Sequence, residues 1–363
     1  MNWKHLTEYR DPVVSQKLIE KIKSSSRHPI RLMEVCGTHT MSISRNGLRQ
    51  LLPPSITLLS GPGCPVCVTT QLEIDKFIYL AQLKNVIIGS FGDLIRVPGS
   101  EGALASARSE GADVRVVYSP MDCLQIADDN PAKEVVFLGV GFETTAPTIA
   151  AVILEAQRKR LKNFSVISAH KLVPPALIAL LQNPRVSVNG FICPGHVSVI
   201  IGARAYLPIV EQYHFPCVIA GFEPVDILQA IAMLIEQIEQ EEARVEIAYR
   251  RGVNFEGNAT ARTILYQVFE PIDADWRGLG NIPQSGLKIR AKFRDFDTET
   301  RFTLDVAPSP EPAGCICGEI LCGIRMPPDC ALFGKKCTPE NPVGPCMVSS
   351  EGTCAAYFKY RMI

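Results

Sequence analysis

The chain has 363 residues, more than one core of ordinary size holds, so about two or three domains are expected. Its 37 Lys and Arg balance its 37 Asp and Glu, which argues against binding nucleic acid by bulk charge. A composition of 47% hydrophobic and 20% charged residues excludes a disordered chain.

The apolar runs are short and broken by Pro, well under the ~18 residues of a membrane span, so no membrane association is expected. Met1–Val14 contains no apolar signal core, so a cytoplasmic protein is expected. Thirteen cysteines then point to metal or redox work instead of structural disulfides.

In chain order, β-branched runs alternate with amphipathic stretches. Strands are expected at Arg31–Val35, Ile56–Ser60, Val86–Ile88, Val114–Tyr118, Val135–Val140, Ser165–Ser168, Gly190–Ile192 and Cys217–Ala220. Thr70–Leu83 and Pro147–Arg160 read as intervening helices. This alternation predicts an α/β fold with parallel sheets, and the two-faced apolar strands predict helices on both sides. A turn-rich stretch at Asp128–Pro131 is read as a break. The expected division is therefore a first α/β domain over 25–128 and a second over 129–223. A third, Cys-rich domain follows over 224–363, joined by 1–24. It opens with a long helix over Val225–Ala243.

The reactive residues follow the expected strands. In parallel sheets the carboxyl ends of strands share one rim, where ligands bind. Cys36, His39, Cys64, Cys67, Asp93, Glu143, His170, His196 and Glu223 are all placed to meet there. Cys36 precedes a helix start, which predicts a lowered thiol pKa; its alternative role is simple packing. Cys64 and Cys67 are spaced to close a disulfide or hold a metal. His170 and His196 are acid–base candidates or structural histidines. Glu143 and Glu223 have a plain alternative as helix-start acids, and Asp93 with Arg96 as a local ion pair. Cys123, Cys193 and Cys217 are read as packing residues.

Gly139-Val-Gly141 is similar to a dinucleotide fingerprint, but Thr replaces its third Gly and no acid ends the next strand, which argues against a nucleotide. Seven cysteines, at 315, 317, 322, 330, 337, 346 and 354, lie in the last 49 residues, and no His follows His214. Any metal held there is bound mainly by thiolates. The spacing matches neither a zinc ribbon nor a bacterial ferredoxin run. Four thiolates serve either a [4Fe–4S] cluster or zinc.

Several long motifs resemble the HypD family of hydrogenase maturation factors. They are Met33–Thr40 (M-E-V-C-G-T-H-T), Gly61–Cys67 (G-P-G-C-P-V-C), Ser90–Ser100, Gly141–Pro147 (G-F-E-T-T-A-P), Pro194–Ser198 (P-G-H-V-S) and Cys337–Cys354. The resemblance implies two α/β domains and a third carrying a [4Fe–4S] cluster. It implies a redox-active assembly scaffold, not a stand-alone turnover enzyme. With a small HypC-like partner, the scaffold would hold iron while it acquires two cyanides and one carbon monoxide. A HypE-like protein would donate cyanide, and the finished Fe(CN)2CO unit would pass to the [NiFe] hydrogenase large subunit.

Carried over by motif, Cys36 would bind the iron, with Cys64 and Cys67 as a redox pair or further iron ligands. His39, Asp93, Glu143 and His196 would serve the same site. Cys315, Cys330, Cys337 and Cys354 would hold the cluster, with Cys317 and Cys346 as a neighbouring redox disulfide. Cys322 is extra to the family pattern. Two competing readings are a free-standing, cluster-linked thiol–disulfide reductase and a zinc-stapled binding module.

Overall fold

A computed structural model describes residues 7–360. Its strands are β1 (Ile30–Glu34), β2 (Ile56–Ser60), β3 (Val86–Ser90), β4 (Asp113–Val116), β5 (Glu134–Gly141), β6 (Phe164–His170), β7 (Gly190–Pro194), β8 (Cys217–Ala220), β9 (Val245–Ile247), β10 (Phe269–Trp276) and β11 (Gly280–Ile289). The architecture is α/β with two parallel sheets. One has the order β2-β1-β7-β8-β9, the other β4-β3-β5-β6. β10 and β11 form an antiparallel hairpin.

The strand pairing does not follow the expected boundary at 128/129. β3 and β4 precede it, yet β3 pairs directly with β5, Val86 opposite Glu134. β1 and β2 pair instead with β7, which arrives after the whole second sheet. The turn at Asp128–Pro131 lies inside the second sheet, and the chain leaves the first sheet after β2 and returns at β7. The expected helix at Val225–Ala243 is observed as Pro224–Glu239. It packs against β7 and β8 and against the N-terminal helix Pro12–Ser25. Residues 1–6 and 361–363 of the expected third region lie outside the described residues.

Local sequence explains these elements. Pro224 starts the long helix, and the backbone N–H of Glu223 donates to the Asp226 carboxylate at 3.1 Å. Ile227, Ile231, Leu234 and Ile235 recur at helical spacing and are fully buried. Thr70 and Glu73 form a reciprocal cap on the helix Gln71–Gln82. From Val135 onward β5 is buried on both faces, as a strand covered by helices must be. Among the described residues no helix is long and apolar enough to cross a membrane. The tail has little regular structure and is dominated by turns and short helices.

Candidate functional site

Two loops meet at the carboxyl end of the first sheet. The Cys36 loop follows β1 and the Gly61–Cys67 loop follows β2. The Gly37 N–H donates to the Gly63 carbonyl at 3.0 Å. A Cβ on Gly63 would stand 2.1 Å from the Cys36 nitrogen, so only glycine permits this approach. The loops after β5 and β7 complete a cleft of about 390 Å³ between the two sheets, lined by Cys36, Thr38, Gly63, Thr144, His196 and Glu351 among others.

Cys36 is therefore at the cleft, though only 8% exposed. It caps the helix Gly37–Arg45, and the amides of Thr38 and His39 favour its thiolate. The lowered pKa expected from that position is not observed. Burial, with Glu351 beside it, pushes the thiol up to about 12. Desolvation outweighs the partial charge of one short helix. A bound cation would reverse that balance, because a metal-coordinated thiol is deprotonated.

Two carboxyls flank Cys36 that sequence reasoning did not single out. Glu34 is fully buried, accepts the Cys36 N–H at 3.1 Å and the Thr40 hydroxyl, and is pushed up to about 7 by burial. Glu351 arrives from the tail and accepts the Thr38 hydroxyl at 2.7 Å across more than 300 residues of sequence. Burial raises its pKa as well. Glu34 had a legible signal, an acid ending an apolar strand two residues before a motif cysteine. Glu351 had none.

The other rim candidates separate. His196 is exposed at the cleft and stacks on Phe222 with centroids 3.9 Å apart. His39 turns away; its Nε2 lies 2.9 Å from the Gly221 carbonyl, and burial lowers its pKa to about 4. His170 is buried beside the Ser168 hydroxyl at 2.9 Å, with its pKa lowered to about 3 by burial. Both are neutral, structural imidazoles near pH 7. Asp93 and Arg96 do not simply pair with each other. Asp93 accepts the Ser349 hydroxyl at 2.9 Å, and Arg96 reaches the Val348 carbonyl at 3.4 Å, so both clasp the tail. Glu223 pairs with Arg10. Gly139-Val-Gly141 is the end of β5 and serves close packing, since a Cβ on Gly141 would collide with Thr145.

Glu143 lies below the cleft. One carboxyl oxygen accepts the Val173 N–H at 3.0 Å; the other is buried without a partner. Burial pushes it up to about 7 from an ordinary 4.5. The folded chain thus holds this proton between those pH values while the unfolded chain releases it, and stability falls as pH rises through that window. Glu143→Gln removes the ionisation. The stability difference between variant and wild type should move in the variant's favour by roughly 3 kcal/mol from pH 4.5 to 8. Urea unfolding at three pH values checks this, and a pH-independent difference contradicts it.

Beneath the Cys36 loop begins a series of sulfurs. Cys64 and Cys67 are buried, with Sγ atoms 2.6 Å apart. Cys67 also contacts Cys346, Cys346 contacts Cys317, and Cys317 contacts Cys315. No disulfide joins any of the thirteen cysteines. A small apolar cavity in the tail is lined by Cys315, Cys317, Cys330, Cys337, Cys346 and Cys354. Burial pushes the Cys354 thiol up. Among the described residues no set of three ligand-type side chains is arranged as the shell of a single ion. The donor set suits a thiolate-bound group. Six cysteines line an apolar space, the Val343 N–H donates to the Cys337 sulfur at 3.3 Å, and a Cβ on Gly344 would stand 2.6 Å from the Cys315 sulfur. Cys322 lies apart, its sulfur 3.5 Å from the Gly278 carbonyl. Cys123, Cys193 and Cys217 are wholly buried.

The model of the HypD family, described as "Hydrogenase formation hypA family", matches residues 13–361. The chain is 45% identical over 367 residues to "Hydrogenase maturation factor HypD" of Cupriavidus necator, covering 98% of this chain and 97% of the relative. It is 43% identical over 366 residues to the protein of the same name from Escherichia coli, with the same two coverages. A Methanocaldococcus jannaschii relative, "Putative hydrogenase expression/formation protein MJ0993", is 45% identical over 355 residues, 97% of this chain and 99% of its own length. With a family match over nearly its whole length and relatives this similar from end to end, the chain belongs to the HypD family of hydrogenase maturation factors.

Proposed function

We propose that this chain is the scaffold on which the Fe(CN)2CO unit of [NiFe] hydrogenase is assembled, with iron held at Cys36 and shared with a HypC-like partner. The observation that carries this reading is the position of Cys36. It is the one thiol among the residues lining a cleft between two sheets, and a continuous line of sulfurs begins beneath it. Soft, low-valent iron favours thiolate, and iron is the cargo here. Cys36 binds it, Glu34 holds the Cys36 backbone, and His196 and Glu351 supply or accept protons at the cleft wall.

Cyanide from a HypE-like donor arrives bonded to sulfur, and its release is reductive. The S–CN bond breaks, hydrogen cyanide and the donor's thiol leave, and the Cys64 and Cys67 thiols close a disulfide. That disulfide needs two electrons and two protons from a low-potential reductant to reopen, and Cys346 and Cys317 lie in line to pass them. Cys315, Cys330, Cys337 and Cys354 would hold a [4Fe–4S] group, which would supply electrons one at a time. A free-standing disulfide reductase is less well supported, because Cys64 and Cys67 are sealed from large substrates.

The test is full-length protein prepared without air together with a HypC-like partner. About four cluster irons with sulfide are expected per chain, along with infrared stretches of iron-bound cyanide and carbon monoxide. Iron and sulfide without diatomic stretches, together with turnover of generic disulfides, would favour the reductase. Absence of iron and sulfide sinks the cluster.

A further inference from the structure

The hairpin β10–β11 has no part in the assignments above, yet its turn inserts a charge beside the sulfur line. Arg277 is 2% exposed. Its backbone N–H donates to the Val68 carbonyl at 2.9 Å, and its Nε donates to the Thr69 carbonyl at 2.9 Å. The guanidinium is thereby anchored to the end of the Cys64–Cys67 loop. Nη1 pairs with Glu311, whose side chain is half exposed. Nη2 is buried and has no partner. The next residue, Gly278, is pressed against Gly318, one position beyond Cys317, where a Cβ would come within 2.3 Å of the Gly318 Cα. The turn is thus seated on the helix that begins with Cys317.

A buried N–H without an acceptor costs free energy unless a partner is present in some working state. Besides Glu311, the groups able to become anionic in the segments that Arg277 and Gly278 touch are the sulfurs of Cys67 and Cys317. Nη1 pairs with Glu311, four residues before Cys315, so the guanidinium lies between the end of the Cys64–Cys67 loop and the segment that leads into Cys315. Glu311 offsets the guanidinium only partly, because water screens its exposed carboxylate.

We propose that Arg277 is the counter-cation of the electron-loaded sulfur series, and that its buried charge makes the cluster easier to reduce. This rests on the cluster reading above. The step is a one-electron uptake from an external low-potential reductant, in which no covalent bond forms or breaks and the added negative charge faces the guanidinium. Hydrogen bonds and charge near cluster sulfurs are recognised levers on potential. Arg277 is a positioning residue, since it acts on the sulfur series by its charge and touches no substrate.

The experiment is a redox titration of the full-length protein, prepared without air and loaded with its cluster, followed by absorbance near 400 nm and electron paramagnetic resonance. Arg277→Gln should make reduction about tenfold less favourable, a fall of about 59 mV for one electron. Arg277→Lys keeps the charge and should recover part of that fall. Equal potentials in wild type and Arg277→Gln overturn the proposal, as do equal falls in Gln and Lys, which would signal packing and not charge. Glu311→Gln provides an independent arm, especially should Arg277→Gln not fold. It leaves Arg277 in place with less of its charge offset, so the potential should rise; no change or a fall overturns the proposal. A wild type without iron and sulfide removes the cluster and this inference together. A loaded cluster whose potential ignores these changes removes only the inference.

Discussion

Cys36→Ala should yield a folded protein that keeps its tail chromophore and carries no iron–cyanide or iron–carbonyl infrared band. The substitution removes one sulfur from a residue that lines the cleft, and the surrounding loops are held by backbone contacts that alanine keeps. The cost in stability should be about 1 kcal/mol, the scale of a small deletion in packed surroundings. The six cysteines of the tail cavity are untouched. The effect on loading is total because no other residue lining the cleft offers a thiol; His196 and Glu351 are harder donors that hold low-valent iron poorly. Infrared spectra of the partner complex, read beside the absorbance near 400 nm, decide the matter. Diatomic bands surviving at wild-type intensity would place the iron elsewhere.

Lys171→Met should cost about 3 kcal/mol. The Lys171 side chain is 2% exposed, and its Nζ lies 2.7 Å from both the Glu73 carboxylate and the Asp275 carbonyl. One ammonium thus ties the end of β6 to the capped start of the helix Gln71–Gln82 and to β10. Methionine fills a similar volume, so the loss is chiefly electrostatic. It leaves a carboxylate and a carbonyl without their shared donor. The loss should sit at the lower end for a broken buried pair, since Glu73 is 23% exposed and still accepts the Thr70 N–H at 2.8 Å. Urea unfolding should show a lower midpoint at an unchanged slope. A loss under ~1 kcal/mol would mean the bridge contributes little more than a surface pair.

The two effects separate by place. Lys171 belongs to the framework that docks hairpin, helix and sheet, whereas Cys36 belongs to the cleft. A variant of the first kind should lose stability and load iron normally at low temperature. A variant of the second should do the reverse.

The strands were legible because apolar, β-branched runs bounded by turn residues report burial directly. Cys217–Ala220 is observed at the expected bounds, and the second strand, Ile56–Ser60, likewise. The Gly63 loop carried its own explanation, a glycine needed for close approach. Strand partners were not legible. Nothing in Val86–Ser90 says whether it continues the sheet of β1 and β2 or begins another, because a parallel strand buried on both faces looks alike in either setting. The hairpin Phe269–Ile289 was missed because its strands are short of alternation, with Pro271 in one and Pro283 in the other. Among the reactive residues, type and spacing identified Cys36 and His196, which line the cleft. The same criteria could not distinguish them from His39 and Glu143, whose side chains turn into the interior.

The linear order of residues determined that the protein is α/β and which family it belongs to, since burial patterns and long motifs are local properties of the chain. Tertiary structure alone decided that the tail folds back to place Glu351 beside Cys36 and that Arg277 is anchored to the end of the Cys64–Cys67 loop. Those contacts join segments hundreds of residues apart, and their energies arise from desolvation and packing that exist only once the sheets have closed.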